Sequence, residues 1–279
     1  MSVAIVTDSG SDLTREEASR YGIEIVPVYV VFGNDRLRDG VEIDRASFFR
    51  RVESGEKPTT DPATVEDFTS VFDRLVASGR DVVAITLSSQ ISKSYEHVQS
   101  AASAYGEKVR VVDSRGASGL ESLLAVYAAE RAAAGDPAAE IARKLSSLKT
   151  AAFFAVPDLS ALGQSGRLPK AVVALGSMLN VSLVLKMNDQ GAIAPAGQSR
   201  SFDKTCELMV ESVVRAIERS PGAWIAISYG GDAKVAKDLT RLLESKLGHP
   251  PVKEMLHETT LTIAANLGNS GVGIFAIVP

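Results

Sequence analysis

Three short apolar segments in the first half of the chain constrain the fold more than any other feature. They span residues 3–7, 82–87 and 109–112, and all three are rich in valine. Short apolar segments that alternate with segments of helical periodicity are typical of parallel strands covered by helices on both faces. The first half is therefore predicted to be an α/β unit with a mainly parallel sheet flanked by helices.

Each of these segments is followed by a polar turn. The three turns are Asp8-Ser9, Ser88-Ser89 and Asp113-Ser114. Ligands of open α/β sheets bind beyond the carboxyl ends of the strands, so these turns are expected to converge on one edge of the sheet. A further strand is predicted over residues 23–31, where Pro27 indicates a bend or an edge.

The serine-rich segment 88–94 leads from a predicted strand into a helix that is expected to begin at Ser92 or Ser94. The first N–H groups of a helix lack partners, and together with serine hydroxyls they suit a carboxylate. Capping of the helix by one serine explains the same pattern.

Two other polar loops, Thr59-Thr60 and residues 266–273, are equally open to a structural interpretation. The first would be a plain turn and the second a tight hairpin. Arg167 is either a site residue or an ordinary surface arginine.

The second half of the chain has a different pattern. The segments 183–187 and 192–196 flank Asn188-Asp189-Gln190-Gly191, which is typical of a hairpin and predicts a mixed sheet. The apolar segment 168–179 predicts a helix, and residues 168–185 are suited either to the wall of an apolar tunnel or to a plain core. Because no flexible linker separates the halves, we predict two packed α/β domains, residues 1–150 and 151–279.

Composition and charge argue against several classes of function. The net charge of −4 and the pI of about 5.5 indicate neither nucleic-acid binding nor constitutive adsorption to a membrane. No apolar segment reaches the ~18 residues that span a bilayer. The first residues lack the basic segment of a signal peptide, so a cytoplasmic location is expected. A single cysteine, Cys206, and the lack of phosphate-loop and metal-ligand motifs predict neither a metal nor a cofactor.

The sequence predicts no catalytic residue. A serine nucleophile needs a base, and His97 follows Ser94 by only one helical turn, which fits an exposed helix face better than a catalytic triad. Two functions nevertheless remain open at this point. One is a serine-dependent esterase or acyltransferase that uses Ser92 or Ser94, and the other is a binding module for another small anion.

Nine segments, in order along the whole chain, resemble the DegV family of bacterial fatty-acid-binding proteins. The segments are VTDSGSDL (6–13), VPVYVVF (26–32), Asp39-Gly40, PTTDPAT (58–64), ITLSSQISKSYEHV (85–98), VVDS (111–114), DLSALGQSGRL (158–168), ALGSMLNVSLVLKMNDQGAI (174–193) and AANLGNSGVGI (264–274).

The resemblance implies a two-domain α/β protein that encloses one long-chain fatty acid. The carboxylate would be held by hydroxyls at the domain junction, and the tail would lie in the apolar second domain. The resemblance also implies a carrier that is not itself an enzyme. It would present its ligand to a separate, dihydroxyacetone-kinase-like fatty acid kinase for acyl-phosphate formation in phospholipid metabolism. A monomer without a cofactor is expected, and the resemblance is compatible with transient contact with a membrane.

The resemblance also assigns residues. The head-group residues would be Thr60, Ser92, Ser94 and Asn266. Accessory positions are Thr59, Lys93, Asp8 and Ser9, and Arg167 would contact the kinase. This chain departs from the family pattern at Lys93, where a glycine is usual, at Asp61, and at Asn266, where many members have a histidine.

Overall fold

The computed structural model describes residues 2–168, 172 and 181–279. The strands, in chain order, are β1 Val3–Asp8, β2 Ile23–Val26, β3 Tyr29–Phe32, β4 Asp35–Arg38, β5 Thr59–Asp61, β6 Asp81–Thr86, β7 Val109–Asp113, β8 Lys149–Val156, β9 Ser182–Met187, β10 Ile193–Ser199, β11 Trp224–Tyr229, β12 Lys253–Glu258 and β13 Val272–Val278. The helices are α1 Arg15–Tyr21, α2 Arg45–Glu53, α3 Val65–Ala77, α4 Ser94–Ala102, α5 Gly119–Ala133, α6 Ala138–Ser147, α7 Ser160–Gln164, α8 Phe202–Ala216, α9 Ala233–Leu247 and α10 Leu261–Leu267.

The first half contains a parallel sheet with the strand order β2-β1-β6-β7. Apolar residues from these strands pack against helices on both faces, as predicted for continuous apolar strands. Because β1, β6 and β7 are neighbours, their polar carboxyl ends meet at one edge. There, the Leu87 N–H donates to Asp8 at 3.3 Å and the Ser89 N–H donates to Asp113 at 3.3 Å. The predicted convergence of the polar turns is confirmed.

The second half contains a six-stranded mixed sheet with the order β10-β9-β8-β13-β11-β12, in which only β11 and β12 are parallel. The predicted hairpin is confirmed as β9 and β10. Its turn is closed by Asn188, whose side-chain oxygen accepts from the N–H groups of Gln190 and Ala192, both at 3.0 Å. The chain is therefore an α/β protein with a parallel sheet in its first half and a mixed sheet in its second half, as predicted.

The single strand predicted over residues 23–31 is wrong. The segment splits at Pro27 into β2, in the parallel sheet, and β3, which pairs antiparallel with β4 and β5 in a separate three-stranded sheet. Proline has no N–H to donate, so the ladder ends there and the chain can change sheets. The loop predicted around Thr59 and Thr60 is accordingly an edge strand, β5.

The hairpin interpretation of residues 266–273 is also wrong, because α10 ends at Leu267 and only β13 is a strand. Gly268, with a φ of +76°, follows the helix in a backbone conformation that favours glycine.

The predicted apolar helix over residues 168–179 falls largely outside the described residues. Within the described ranges, no helix combines the length and the apolar character needed to cross a membrane.

Helix α5 lies between the parallel and the mixed sheet, and its side chains are buried almost all round. Its first residue, Gly119, approaches the mixed sheet so closely that a methyl group there would lie 2.8 Å from the Ala226 Cβ and would also overlap the Phe275 ring. A second contact joins the halves where Ala264 and Ala265 of α10 pack with Phe32 and Phe48. The polar edge of the parallel sheet thereby faces the mixed sheet.

Candidate ligand-binding site

A cavity of about 610 Å³ lies between the polar edge of the parallel sheet and the mixed sheet. One part of its wall is polar and includes Thr60, Ser92, Arg167 and Asn266. Much of the rest is apolar. The apolar lining includes Leu87, Phe154, Leu162, Met187, Ile193 and Phe275. A site of this size and composition suits a ligand with one polar end and a long apolar body.

Thr60 reaches the cavity because β5 adds to the edge of β3, in register with Val30. Side chains alternate along a strand, so Thr59 points the other way and is exposed. The neighbouring Asp61, a departure from the family pattern, lines the rim and pairs with Arg36 at 3.3 Å. The pairing with Arg36 offsets the repulsion that an unpaired Asp61 would exert on an anionic ligand.

Ser92 lines the cavity, whereas Ser94 is fully buried behind it at the first turn of α4. The Ser92 hydroxyl donates to the Ser94 hydroxyl at 3.0 Å and accepts from the Ser94 N–H at 3.1 Å. Ser94 therefore supports Ser92 without lining the cavity. Lys93, between them, is exposed on the rim.

Asp8 and Ser9 are buried beneath the site and shape its loops without lining the cavity. The Asp8 carboxyl accepts from the N–H groups of Gly10 at 2.8 Å and Leu87 at 3.3 Å. Burial raises the pKa of Asp8 to about 6, although these two N–H groups and the nearby Ser94 hydroxyl oppose the shift. The Ser9 hydroxyl donates to Asp39 at 3.2 Å and accepts from the Val28 N–H at 3.0 Å.

Asn266 comes from α10, one face of which lines the cavity. Its side-chain N–H donates to the Thr262 carbonyl at 2.8 Å, and this bond fixes the amide so that its oxygen faces Arg167. Asn266 therefore presents a hydrogen-bond acceptor to the arginine.

Arg167 extends into the cavity and makes three hydrogen bonds there. Its Nε donates to the Ile91 carbonyl at 2.9 Å, and its two terminal nitrogens donate to the Asn266 side-chain oxygen at 2.6 Å and the Thr60 hydroxyl at 3.2 Å. Burial lowers the pKa of Arg167, yet a guanidinium remains charged at neutral pH.

The three acceptors of Arg167 among the described residues are all neutral. No carboxylate of the described residues pairs with it, and residues 169–180 contain no acidic side chain. The resemblance assigned Arg167 to a partner surface, whereas the structure places its guanidinium beside two of the predicted head-group residues. The sequence already indicates that Arg167 has no acidic neighbour along the chain, since the stretch from Ser160 to Lys186 contains basic residues and no acidic one.

The serines show no catalytic arrangement among the described residues. The ring of His97 bonds through Nδ1 to the Ala63 carbonyl at 2.8 Å, and neither Ser92 nor Ser94 bonds to a histidine. Within the same residues, no three His, Cys, Asp or Glu side chains come together as metal ligands.

The fold defines an α/β protein in which two sheets enclose an internal cavity with a polar and an apolar part. The family model described as "Uncharacterised protein, DegV family" matches residues 2–278, and the chain belongs to this family. A DegV domain-containing protein of Listeria innocua is 30% identical over 277 residues, covering 98% of this chain and 97% of the relative.

Solved structures of the family match the whole fold. A DegV family protein of Thermus thermophilus, described for its fatty acid binding, is 27% identical and has a TM-score of 0.93, with 100% of both chains covered. A stearic acid-binding protein of Eubacterium ventriosum is 26% identical, with a TM-score of 0.90 and coverage of 99% of this chain and 98% of that one. The fatty acid-binding protein DegV of Bacillus subtilis is 25% identical, with a TM-score of 0.87 over 100% of both chains.

Proposed function

We propose that the cavity binds one long-chain fatty acid, with its carboxylate among Arg167, Thr60, Ser92 and Asn266. The observation that carries this proposal is the partly buried Arg167 guanidinium, whose acceptors among the described residues are all neutral. Removing a charge from water without a counter-ion is costly, and a ligand carboxylate would supply that counter-ion. A guanidinium also matches a carboxylate in geometry, because both groups are planar and forked.

The apolar lining suits the rest of such a ligand. A tail of ~16 carbons transfers ~14 methylenes out of water at ~0.8 kcal/mol each, so about 11 kcal/mol is available before the costs of association. The Arg167 contact and the hydroxyls of Thr60 and Ser92 would add a few kcal/mol and set the orientation. Relatives with the same fold are described as fatty-acid-binding proteins, which supports the same ligand class here.

The function proposed for the whole protein is that of a carrier in the cytoplasm, and not that of an enzyme. The chain would present its bound acid to a separate fatty acid kinase for acyl-phosphate formation, with Arg167 at or near the contact. In this role, Arg167 would hold the carboxylate in the free carrier and meet the kinase when the complex forms. The division into a head-group domain, residues 1–150, and an acyl-chain domain, residues 151–279, belongs to the same proposal.

The experiment is mass spectrometry of an organic extract of the purified protein, followed by calorimetric titration of the delipidated protein with stearate and oleate. A single co-purified long-chain acid and saturable binding of one equivalent are expected. An extract free of lipid together with no binding of either acid would refute fatty-acid binding. Turnover of an ester substrate that Ser92→Ala abolishes would instead establish the esterase alternative.

A further inference from the structure

The start of α10 is held by two carboxyls from the first half of the chain. The helix begins after Thr260, whose own side chain makes no capping bond to it. Instead, the Asp12 carboxyl accepts from the Thr260 N–H at 2.8 Å. The Asp39 carboxyl accepts from the Thr262 N–H at 2.9 Å and from the Thr262 hydroxyl at 2.6 Å. Two N–H groups at the start of the helix thus find their partners across the boundary between the halves.

Asp39 is fixed within the first half independently of α10. It follows β4, its N–H donates to the Val28 carbonyl at 2.9 Å, and its carboxyl also accepts from the Ser9 hydroxyl at 3.2 Å. Gly40, the next residue, has a φ of +66°, which favours glycine. Burial raises the pKa of Asp39, and the bonds from Thr262 and Ser9 oppose this rise because they favour the ionised form. The Asp39-Gly40 segment is therefore a rigid support for the start of α10.

A continuous series of hydrogen bonds leads from Asp39 to Arg167. Thr262 donates twice to Asp39, and its carbonyl accepts from the Asn266 side-chain N–H at 2.8 Å. The Asn266 side-chain oxygen then accepts from the Arg167 guanidinium at 2.6 Å. An amide that donates from its nitrogen is fixed in the direction of its oxygen, so each bond orients the next group in the series. Asp39 itself is buried and does not line the cavity.

The length of α10 makes these external bonds important. The helix has seven residues, and a helix this short has little stability of its own. Its position is therefore determined largely by what holds its ends and packs on its sides. Asn266 lies one helical turn after Thr262, so a shift at Thr262 would carry the Asn266 amide away from Arg167.

We infer that Asp39 is a positioning residue for the head group of the ligand. By fixing Thr262, it sets the orientation of Asn266, and with it the cation that receives the carboxylate. A guanidinium already held in its bound orientation loses less freedom when the ligand binds, so breaking the series would weaken binding of a charged head group. This inference rests on the proposed function, since it takes the carboxylate to lie at Arg167. It adds a residue outside the cavity to those that determine affinity.

The experiment compares Asp39→Ala with Asp39→Asn in calorimetric titrations of the delipidated protein with stearate and its uncharged analogue stearamide. Both variants remove the same charge, but the amide oxygen of asparagine can still accept from Thr262, whereas alanine cannot. The ratio of stearate to stearamide affinity should be about threefold to tenfold lower in the alanine variant than in the asparagine variant. A direct electrostatic effect of Asp39 would be equal in the two variants, and a residue that supports only the fold would change both affinities alike.

The same pair of variants in an Asn266→Ala background tests the route. This substitution interrupts the series between Thr262 and Arg167, so the two variants should then have ratios within about 1.5-fold of each other. Asp44→Ala and Asp44→Asn are the matched control, because Asp44 accepts from the Ser47 N–H at the start of α2 and has no bond to the series. Their ratios should equal that of the wild type.

Urea unfolding verifies that each variant is folded. If Asp39→Ala does not fold, Thr262→Val and Thr262→Ser replace it, since valine removes the hydroxyl that donates to Asp39 and serine keeps it. The ratio of stearate to stearamide affinity should then be about twofold to fivefold lower with valine than with serine.

The outcomes separate the two proposals. Equal ratios in Asp39→Ala and Asp39→Asn, with stearate still bound, would overturn the inference and leave fatty-acid binding in place. A difference between them that persists in the Asn266→Ala background would also overturn it, because Asp39 would then act by another route. Failure of the wild-type protein to bind either ligand would refute the proposed function itself.

Discussion

The Arg167 guanidinium donates a 2.6 Å hydrogen bond to the side-chain oxygen of Asn266, across 99 residues of sequence. The bond joins the loop after α7 to the cavity face of α10. Asn266 is itself held by the Thr262 carbonyl, so the arginine is directed by an amide whose orientation is fixed. A cation positioned in this way would meet the carboxylate of the proposed ligand without reorienting, which would reduce the ordering needed on binding.

The first prediction concerns Arg167→Gln. Loss of the cation should weaken stearate binding by about tenfold to a hundredfold, because hydrogen bonds to a charged group contribute about 1.5–3 kcal/mol. Binding of stearamide, which has the same tail and a neutral head, should change by less than about threefold. Calorimetric titration with the two ligands measures the ratio of stearate to stearamide affinity.

Arg143→Gln is the control for this prediction, since Arg143 is exposed on α6 and the substitution changes the net charge equally. An unchanged ratio of stearate to stearamide affinity in Arg167→Gln would contradict a head-group role. If lipid binding is also unaffected while acyl-phosphate formation by an added fatty acid kinase falls, Arg167 acts only at the partner surface.

The second prediction separates Ser92 from Ser94. Ser92→Ala should weaken stearate binding by roughly tenfold, because the lost hydroxyl faces the cavity and would bond a charged carboxylate. Ser94→Ala removes a supporting bond to Ser92 and a hydroxyl beside Asp8, and no group that lines the cavity, so its effect on affinity should be smaller, with a loss of about 1 kcal/mol in the free energy of unfolding. Titration and urea unfolding of both variants measure these effects, and equal losses of affinity would argue that Ser94 reaches the ligand.

The third prediction is a pH dependence of stability due to Asp8. Burial raises its pKa from 3.8 to about 6, so the folded state binds this proton more tightly than the unfolded state does. The contribution of protonated Asp8 to the free energy of unfolding is therefore fully present below about pH 4. It is lost as the pH rises through about 6, by roughly 3 kcal/mol in total.

Asp8→Asn carries no titrating group at this position. The difference in free energy of unfolding between the variant and the wild type should shift by up to roughly 3 kcal/mol in favour of the variant between about pH 4 and pH 7. Urea unfolding across this range measures the difference, in which the titration of other buried carboxyls largely cancels. A difference that stays constant with pH would show that Asp8 titrates as it does in the unfolded chain.

The fourth prediction concerns the contact between α5 and the mixed sheet. Gly119→Ala should lower the free energy of unfolding by about 1–3 kcal/mol, because the added methyl group would overlap Phe275 and lie 2.8 Å from the Ala226 Cβ. Gly222→Ala is the control, since the nearest atom to an added methyl group there is the Ser220 Oγ at 3.8 Å. Urea unfolding of both variants should show a loss only at position 119.

The parallel sheet could be predicted because its strands are apolar segments bounded by polar turns, and the hairpin because residues 188–191 are typical turn residues. The change of sheet at Pro27 could not be predicted, because Val28 continues the apolar pattern after the proline. The partners of β3 are the polar segments Asp35–Arg38 and Thr59–Asp61, whose extended form depends on pairing and not on their own preference.

Within the candidate site, the sequence indicated which residues to consider but not which of them face the cavity. Ser92 and Ser94 are two positions apart, yet one lines the cavity and the other is buried behind it. The orientation of Arg167 depends on Ile91, Asn266 and Thr60, which are 76, 99 and 107 residues away. Contacts at such separations are set by the tertiary fold, and local patterns do not contain them.

The position of α5 between the two sheets also determines how a ligand can exchange. Because the helix packs against both sheets, with Gly119 close to Phe275, moving either sheet away from α5 would expose buried apolar contacts. Among the described residues, β5, the start of α4 and the loop that bears Arg167 form the rim of the cavity, and a ligand that exchanges without separation of the sheets would pass there. The off-rate of a ligand would follow the local mobility of this rim and not the global stability of the protein.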